Sequence, residues 1–515
     1  VESATFLLDA TLPASTATIG ALLHVAADGT RYVTPATPVV FSAQDAAVNG
    51  VASGVGRIEV SVDGAAFTVY TASLTFAEGR HIVRYRAVDN AGNVEAEREL
   101  LLRSDATPPL TTFTPSGTLF TAADGARFAP LSFSYSLPAA DPVVNDVASG
   151  LAFTRYSLDF GAFQAYATTF TLTEGVRRVD FQSEDNLGNL ELLRSATIFV
   201  DATAPLTALA IGAPQFISSS TVYVSTATPF SLASHDPTVA GVASGVSGIS
   251  FRLDAAAFGP YLSVFTIPAP DGLRSVAWFA ADNVGNAEAV KTASVTLDAT
   301  APRSSLAVVG GRQAAGPDAA TFYASLDTRV AFTGEDTSSG GTASGLALIR
   351  YQDNGGAFQN FAAPLALGEG RHALSYQAQD NVLNLEVLRS TTVLVDGTAP
   401  VSTAAIATPR FIAADGTIYI TPETPITLSA DDPSLPAGQP GSGVSRIEVA
   451  VDGGAFSPYG AALTVAEGLH TILFKAVDNV ANVEAVHTLL VRSDATTPQT
   501  SLALAGGRQA AGPSV

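Results

Sequence analysis

The sequence predicts an all-β protein, a tandem of antiparallel β-sandwiches strung into an elongated rod. Three observations predict it. The motif Asp-x-Thr-x-Pro recurs at Asp9, Asp105, Asp201, Asp298, Asp396 and Asp494, at intervals of 96, 96, 97, 98 and 98 residues. That length suits a small domain with its own core rather than a solenoid unit. Within each interval apolar and polar residues alternate with the period of a half-buried strand. About seven such runs, with turn residues every ~8–12 positions and no helical periodicity, describe a sandwich.

The strands of the first interval follow in order, lettered by the immunoglobulin convention. Strand A follows the Asp-x-Thr-x-Pro linker, and strand B is "PVVFSAQD". Strand C is "RIEVSVDG", in which Ile58, Val60 and Val62 share one face and Arg57, Glu59 and Ser61 the other. Asp63-Gly64 then reads as a tight turn. Strand E lies near "ASLTFAEG", strand F is "HIVRYRAVDN" and strand G is "VEAERELLLRSD". On strand F, Val83, Tyr85 and Ala87 oppose Arg84 and Arg86. The Tyr85 column continues as Phe181, Trp278, Tyr376 and Phe474. A large aromatic of drifting identity is expected inside the core, not on a sugar-binding platform. The repeats are set at 11–106, 107–202, 203–299, 300–397 and 398–495. Residues 1–10 are the tail of a preceding repeat and 496–515 the start of a sixth.

Composition narrows the function. The 515 residues carry 47 acidic and 26 basic side chains, a net charge of −21. That disfavours nucleic acid, which needs clustered Lys and Arg, and suits divalent cations. With no Cys, disulfides and thiolate chemistry are excluded. There is also no Met, and "VESATFLLDATLP" and "SLALAGGRQAAGPSV" match the interiors of other repeats. The sequence therefore reads as a window on a longer protein, with any signal or anchor outside it. No apolar run is long enough to span a bilayer. No phosphate loop, His-Glu-x-x-His or Gly-x-Ser-x-Gly motif is present, so no enzyme activity is expected.

The segment "IEVSVDGAAFTVYTASLTFAEGRHIVRYRAVDNAGNVE" resembles the bacterial immunoglobulin-like repeats of large surface and secreted proteins, including leptospiral outer-membrane surface proteins. The matching parts are Asp-Gly-x-x-Phe-x-x-Tyr, the Glu-Gly before strand F and the Asp-Asn-Ala-Gly-Asn-Val-Glu corner. They recur along the whole chain, but without the cysteines and strand-C Trp of antibody domains. The resemblance implies an extracellular or surface location. Repeat 1 is closest to repeat 5 and repeat 2 to repeat 4, and "GGRQAAGP" recurs at 310 and 506. This pattern suggests growth by duplication of multi-repeat blocks.

The corner after strand F, "VDNAGNVE", recurs five times and calls for a reason. In a sandwich of this topology the linker, the BC loop and the FG loop meet at one end of a domain. Three carboxylates per joint should therefore converge: Asp9, Asp45 and Asp89; Asp105, Asp141 and Asp185; Asp201, Asp236 and Asp282; Asp298, Asp336 and Asp380; Asp396, Asp432 and Asp478. Such carboxylates repel unless neutralised. Ca2+, which accepts carboxylate, amide and carbonyl oxygens in loose geometry, is the expected neutraliser and would stiffen the joint. Turn chemistry alone is the alternative, since Asp and Asn hydrogen-bond their own backbone. Gly92, Gly188 and Gly285 give way to Leu383 and Ala481, which points to Asn93 and its equivalents as the residue that adopts the left-handed backbone. Glu95 and its equivalents are expected to pair locally or lie solvated. His81, His372 and His470 share a column, but one His per domain cannot make a multi-His metal site, and His24, His235 and His487 are expected at the surface.

The function expected is a structural spacer, a stalk or adhesin-like rod of a bacterial surface protein, on the order of 200 Å long for five domains of strands rising ~3.3 Å per residue. Its partners would be neighbouring repeats and copies of itself or a surface receptor. The alternatives are a subunit of a self-assembling filament or sheath and a carbohydrate-binding accessory region of a secreted enzyme.

Overall fold

The computed structural model describes residues 3–21, 23–338, 342–503 and 505–507. The second "GGRQAAGP" segment lies largely outside them. Contacts divide the chain into two compact units, Val1–Ala210 with Leu232–Ser263 and Val276–Thr292, and Ile211–Ser231 with Val264–Ser275 and Ala293–Val515. Repeats 1 and 2 fall in the first unit and repeats 4 and 5 in the second.

Repeat 1 shows how residues become layers. Its strands are β1 (Ala14–Ile19), β2 (Leu23–Val25), β3 (Arg31–Val33), β4 (Val39–Gln44), β5 (Val55–Val62), β6 (Thr68–Val69), β7 (Gly79–Asp89) and β8 (Arg98–Ser104). One sheet pairs β1 with β4; the other runs β2-β3-β8-β7-β5-β6. Alternating side chains of both sheets meet in a core of Val39, Phe41, Val60, Val83, Tyr85 and Leu102, among others. Phe41 and Tyr85 lie 4.9 Å apart between ring centroids. The aromatic column is buried in every repeat, with Trp278 only 6% exposed. Asp63 (φ 52°) and Gly64 (φ 81°) both adopt the left-handed backbone of a tight hairpin turn.

Two features depart from the sequence reading. The segment "ASLTFAEG" is not a strand: only Leu74 bridges to Val39. And between strands A and B lies a hairpin, β2–β3, whose second strand runs parallel to β8, pairing Tyr32 with Arg103 and Val33 with Ser104. The sandwich is therefore not wholly antiparallel.

The same six-stranded order recurs in repeats 2, 4 and 5. In repeat 3, residues 246–253 pair with 276–282 within the first unit, and Tyr223 and Val224 pair in parallel with Thr296 and Leu297 within the second. At the start of every strand C the register with strand F shifts, in repeat 1 between Val55 and Arg57. Bulges of this kind re-aim a strand end, and here the end is the Asp of the FG corner. No helix among the described residues is long and apolar enough to cross a membrane.

Candidate functional site

Each joint is built by three short pieces of backbone, and the joint between repeats 1 and 2 serves as the example. The linker supplies Asp105, the BC loop Asp141, and the FG loop Asp185. Their carboxylates converge with ligand-type oxygens within 4.8 Å of one another, and so do the other four expected triads. Asp105 and Asp185 are buried and Asp141 is partly buried; in the first triad only Asp89 is buried.

The carboxylates converge because N–H groups hold them. The Thr107 N–H donates to Asp105 Oδ1 (3.1 Å) and the Ser149 N–H to Asp105 Oδ2 (2.6 Å). The Gly150 N–H donates to Asp141 Oδ2 (2.7 Å). The Leu187 and Asn189 N–H groups donate to Asp185 Oδ1, and the Asn189 side-chain amide to Asp185 Oδ2 (2.7 Å). The Asn189 amide also reaches the Asp105 carbonyl (3.2 Å). Asn186, beside Asp185, donates to the carbonyls of Ser149 and Gly150. Each polar residue of the recurring corner thus ties the FG loop to a different neighbour: Asp to its own turn, the first Asn to the BC loop, the second Asn to the linker.

The electrostatics follow from this crowding. Burial, with the charges of Asp105 and Asp185 behind it, raises the Asp141 pKa; burial likewise raises Asp236, Asp336 and Asp432. Burial pushes Asp380 up to about 6 and raises Asp478. In the first triad the direction reverses. Hydrogen bonds from Ser53 lower Asp9, and at Asp89 those from Asn93 outweigh the upward push of desolvation.

Glu95 and its equivalents are not solvated. They are 7–8% exposed where fully buried, as at Glu95, Glu191, Glu386 and Glu484. Glu95 accepts from the Ser15 N–H on β1 and the Ala87 N–H on β7, and pairs with Arg98 at 2.7 Å. It is a bolt between the two sheets, 80 residues from Ser15 in sequence. In the other repeats Arg194, Lys291 and Arg389 supply the counter-charge, and at Glu484 the His487 Nε2 takes the same place at 2.8 Å. The histidine column is also structural: His81 and His470 bond the turn Asp after strand C and His372 bonds Asp353, the last residue of strand C, each at 2.7 Å, while Arg177 bonds the turn Asp159 at 2.9 Å. The left-handed residue of the corner is not Asn93. It is the position before it, where Gly92, Leu383 (φ 69°) and Ala481 (φ 69°) all have positive φ.

Two features escaped the sequence. The linker Thr hydroxyl bonds the acidic residue of the preceding repeat's Glu-Gly turn: Thr107 to Glu78, Thr203 to Glu174, Thr300 to Asp271, Thr398 to Glu369 and Thr496 to Glu467. The shared position of the two motifs in every repeat could have suggested the pairing. Second, not every aromatic column faces inward. Phe163, Phe258, Phe358 and Phe456 are 37–44% exposed at equal positions, and with Phe67 each packs against an Arg or Lys.

No protein-family model and no curated protein matches the chain. Solved structures with some likeness include the fibronectin(III)-like modules of Clostridium thermocellum CbhA (16% identity, 37% of this chain and 94% of that one, TM-score 0.20). Others are the extracellular cadherin domains 3–6 of protocadherin gamma B2 (12%, 76% and 100%, 0.20) and domains 4–9 of the surface layer protein SbsC (11%, 94% and 82%, 0.17). Likeness at this level has no bearing on function, and the tandem-sandwich fold rests on the strand pairings.

Proposed function

We propose that the chain is a structural spacer of a long extracellular bacterial surface protein, a stalk or adhesin-like rod of the leptospiral type, whose joints calcium stiffens. The observation that carries this reading is the double fastening of the linker. At four linkers in succession the Asp carboxylate accepts from the BC loop of the following repeat while the Thr hydroxyl bonds the preceding one. A flexible tether needs neither bond, whereas a spacer that must hold its reach needs both. Calcium would add a positive charge where three carboxylates meet.

X-ray scattering of the chain in chelator and in millimolar Ca2+ tests this. The expected result is a longer maximum dimension with calcium; identical curves would remove calcium from the reading. A second reading, a carbohydrate-binding accessory region, is favoured by the outward phenylalanines. It predicts glycan binding that falls on replacing Phe163, Phe258, Phe358 and Phe456 by Ala.

A further inference from the structure

Among the described residues, no Lys, Arg or His forms an ion pair with any of the fifteen joint aspartates, whereas each of the five Glu bolts has its own basic partner. The chain therefore places basic side chains beside one set of buried carboxylates and beside none of the other. At the joints the hydrogen bonds also leave a gap at a fixed place. In joints two to five the linker and FG-loop aspartates have both oxygens held by N–H donors, and the BC-loop aspartate has one. Its other oxygen, Oδ1 of Asp141, Asp236, Asp336 and Asp432, is buried with no partner. In the same four joints the hydroxyl of the BC-loop serine whose N–H holds the linker Asp also has no partner: Ser149, Ser244, Ser344 and Ser442, each 6–9% exposed.

A buried carboxylate oxygen and a buried hydroxyl without partners are each costly unless something reaches them. Water could satisfy both but would leave three negative charges unopposed. A divalent cation answers both demands. We propose that joints two to five each seat one calcium ion at the unpartnered BC-loop Asp Oδ1 and its neighbouring Ser Oγ. The linker and FG-loop carboxylates wall the seat through lone pairs their N–H donors leave free. The mixed oxygen set without fixed octahedral order favours calcium over magnesium. Joint one is a weaker seat. There Asp45 Oδ1 is orphaned as in the other joints, but the linker Asp9 is only partly buried where its counterparts are buried, and the Ser53 hydroxyl already accepts from the Ala91 N–H at 3.2 Å. This proposal rests on the reading of the joints as calcium-stiffened and assigns the atoms and the number of ions.

Equilibrium dialysis of the intact chain against Ca2+, with Mg2+ as comparison, tests it. Four equivalents in one affinity class are expected, with a weaker fifth. Asp141→Asn should remove one of the four, and the same change at Asp141, Asp236, Asp336 and Asp432 together should remove all four. The Asn amide keeps an acceptor for Gly150 and adds a donor toward the neighbouring carboxylates. The quadruple variant should therefore melt higher than the native chain in chelator while losing its response to calcium. Ser149→Ala should weaken one site without unfolding the chain. Unchanged calcium stoichiometry in the quadruple variant, with loss on Asp105→Asn instead, would overturn this seat and leave the calcium reading standing. No binding at millimolar Ca2+ would overturn both. Four bound ions with no change in scattering would sustain the seat and overturn the stiffening.

Discussion

At residue 383 a leucine stands where three other repeats use glycine, with a backbone φ of 69°. A side chain in the left-handed region costs about 1–2 kcal/mol, which glycine avoids. Leu383 is largely exposed, so its side chain returns little by packing. Leu383→Gly should therefore stabilise its repeat by about 1 kcal/mol, after the entropy glycine adds to the unfolded chain. Ala481→Gly should do the same, and chemical denaturation would read both. The sequence misled at this position because three glycines and two substitutes looked like tolerance, which moved the left-handed backbone onto Asn93. In fact Asn93 is fixed by its amide, which holds Asp89 and the linker carbonyl of Asp9. The inward aromatics, by contrast, were legible from alternation alone. Trp278 is buried, but its indole N–H has no partner. Trp278→Phe should thus be close to neutral, while Trp278→Ala should cost about 3–5 kcal/mol. An equal loss for both changes would show that the indole N–H carries the site.

Strands B, C, F and G declared themselves because each alternates over six or more residues, enough for a period of two to stand out. The β2–β3 hairpin did not. Its strands are three residues long, and its parallel pairing to β8 depends on where the sandwich closes, which no local pattern encodes. The Glu bolts stayed hidden for a related reason. The groups that make Glu191 a core residue, Thr111 on strand A and Ser183 on strand F, lie 80 and 8 residues away. Glu191→Ala would leave both N–H groups buried and unpaired, so repeat 2 should lose about 3 kcal/mol, at 1–3 kcal/mol for each orphaned group.

The bolts also set the acid limit. At Glu95, Glu288, Glu386 and Glu484 burial works to raise the pKa, but hydrogen bonds from strand A, the strand-F N–H and the basic partner outweigh it, and the pKa is lowered. A carboxylate whose folded pKa lies below its unfolded value of about 4.3 stabilises the fold fully above that pH. The stabilisation is lost as pH falls through the folded value. Thermal melts should accordingly weaken below about pH 4, and replacing all four Glu by Gln should flatten that acid limb while lowering stability at neutral pH.

For the whole molecule, the question is where one repeat stops. The sequence boundary at 106/107 separates Asp105 from Thr107, yet these two residues face opposite neighbours. Thr107 bonds Glu78 of repeat 1, and Asp105 holds the BC loop of repeat 2 through the Ser149 N–H. The Asp105 N–H in turn donates to the Val33 carbonyl of repeat 1 (2.9 Å). The convergence of the three aspartates was legible from spacing and topology, but this interleaving was not, because a motif shows its residues without showing which neighbour each one serves. The consequence can be measured with two fragments. Both contain the complete sandwich of repeat 2, and both should fold, since its core of Tyr135, Leu137, Val179, Phe181 and Ile198 is internal. Residues 107–204 lack Asp105 and leave the buried Ser149 N–H without its acceptor. Residues 103–204 retain it. In chelator, the longer fragment should be more stable by about 1–3 kcal/mol, the cost of one orphaned buried donor, offset in part by returning a third carboxylate to the cluster. In calcium the gap should widen, because only the longer fragment has all three carboxylates of the seat. Equal stability in both conditions would mean that the linker Asp merely marks the joint. A longer fragment that is weaker in chelator and stronger in calcium would mean that repulsion among the three carboxylates exceeds the hydrogen bond, and that the joint relies on its ion.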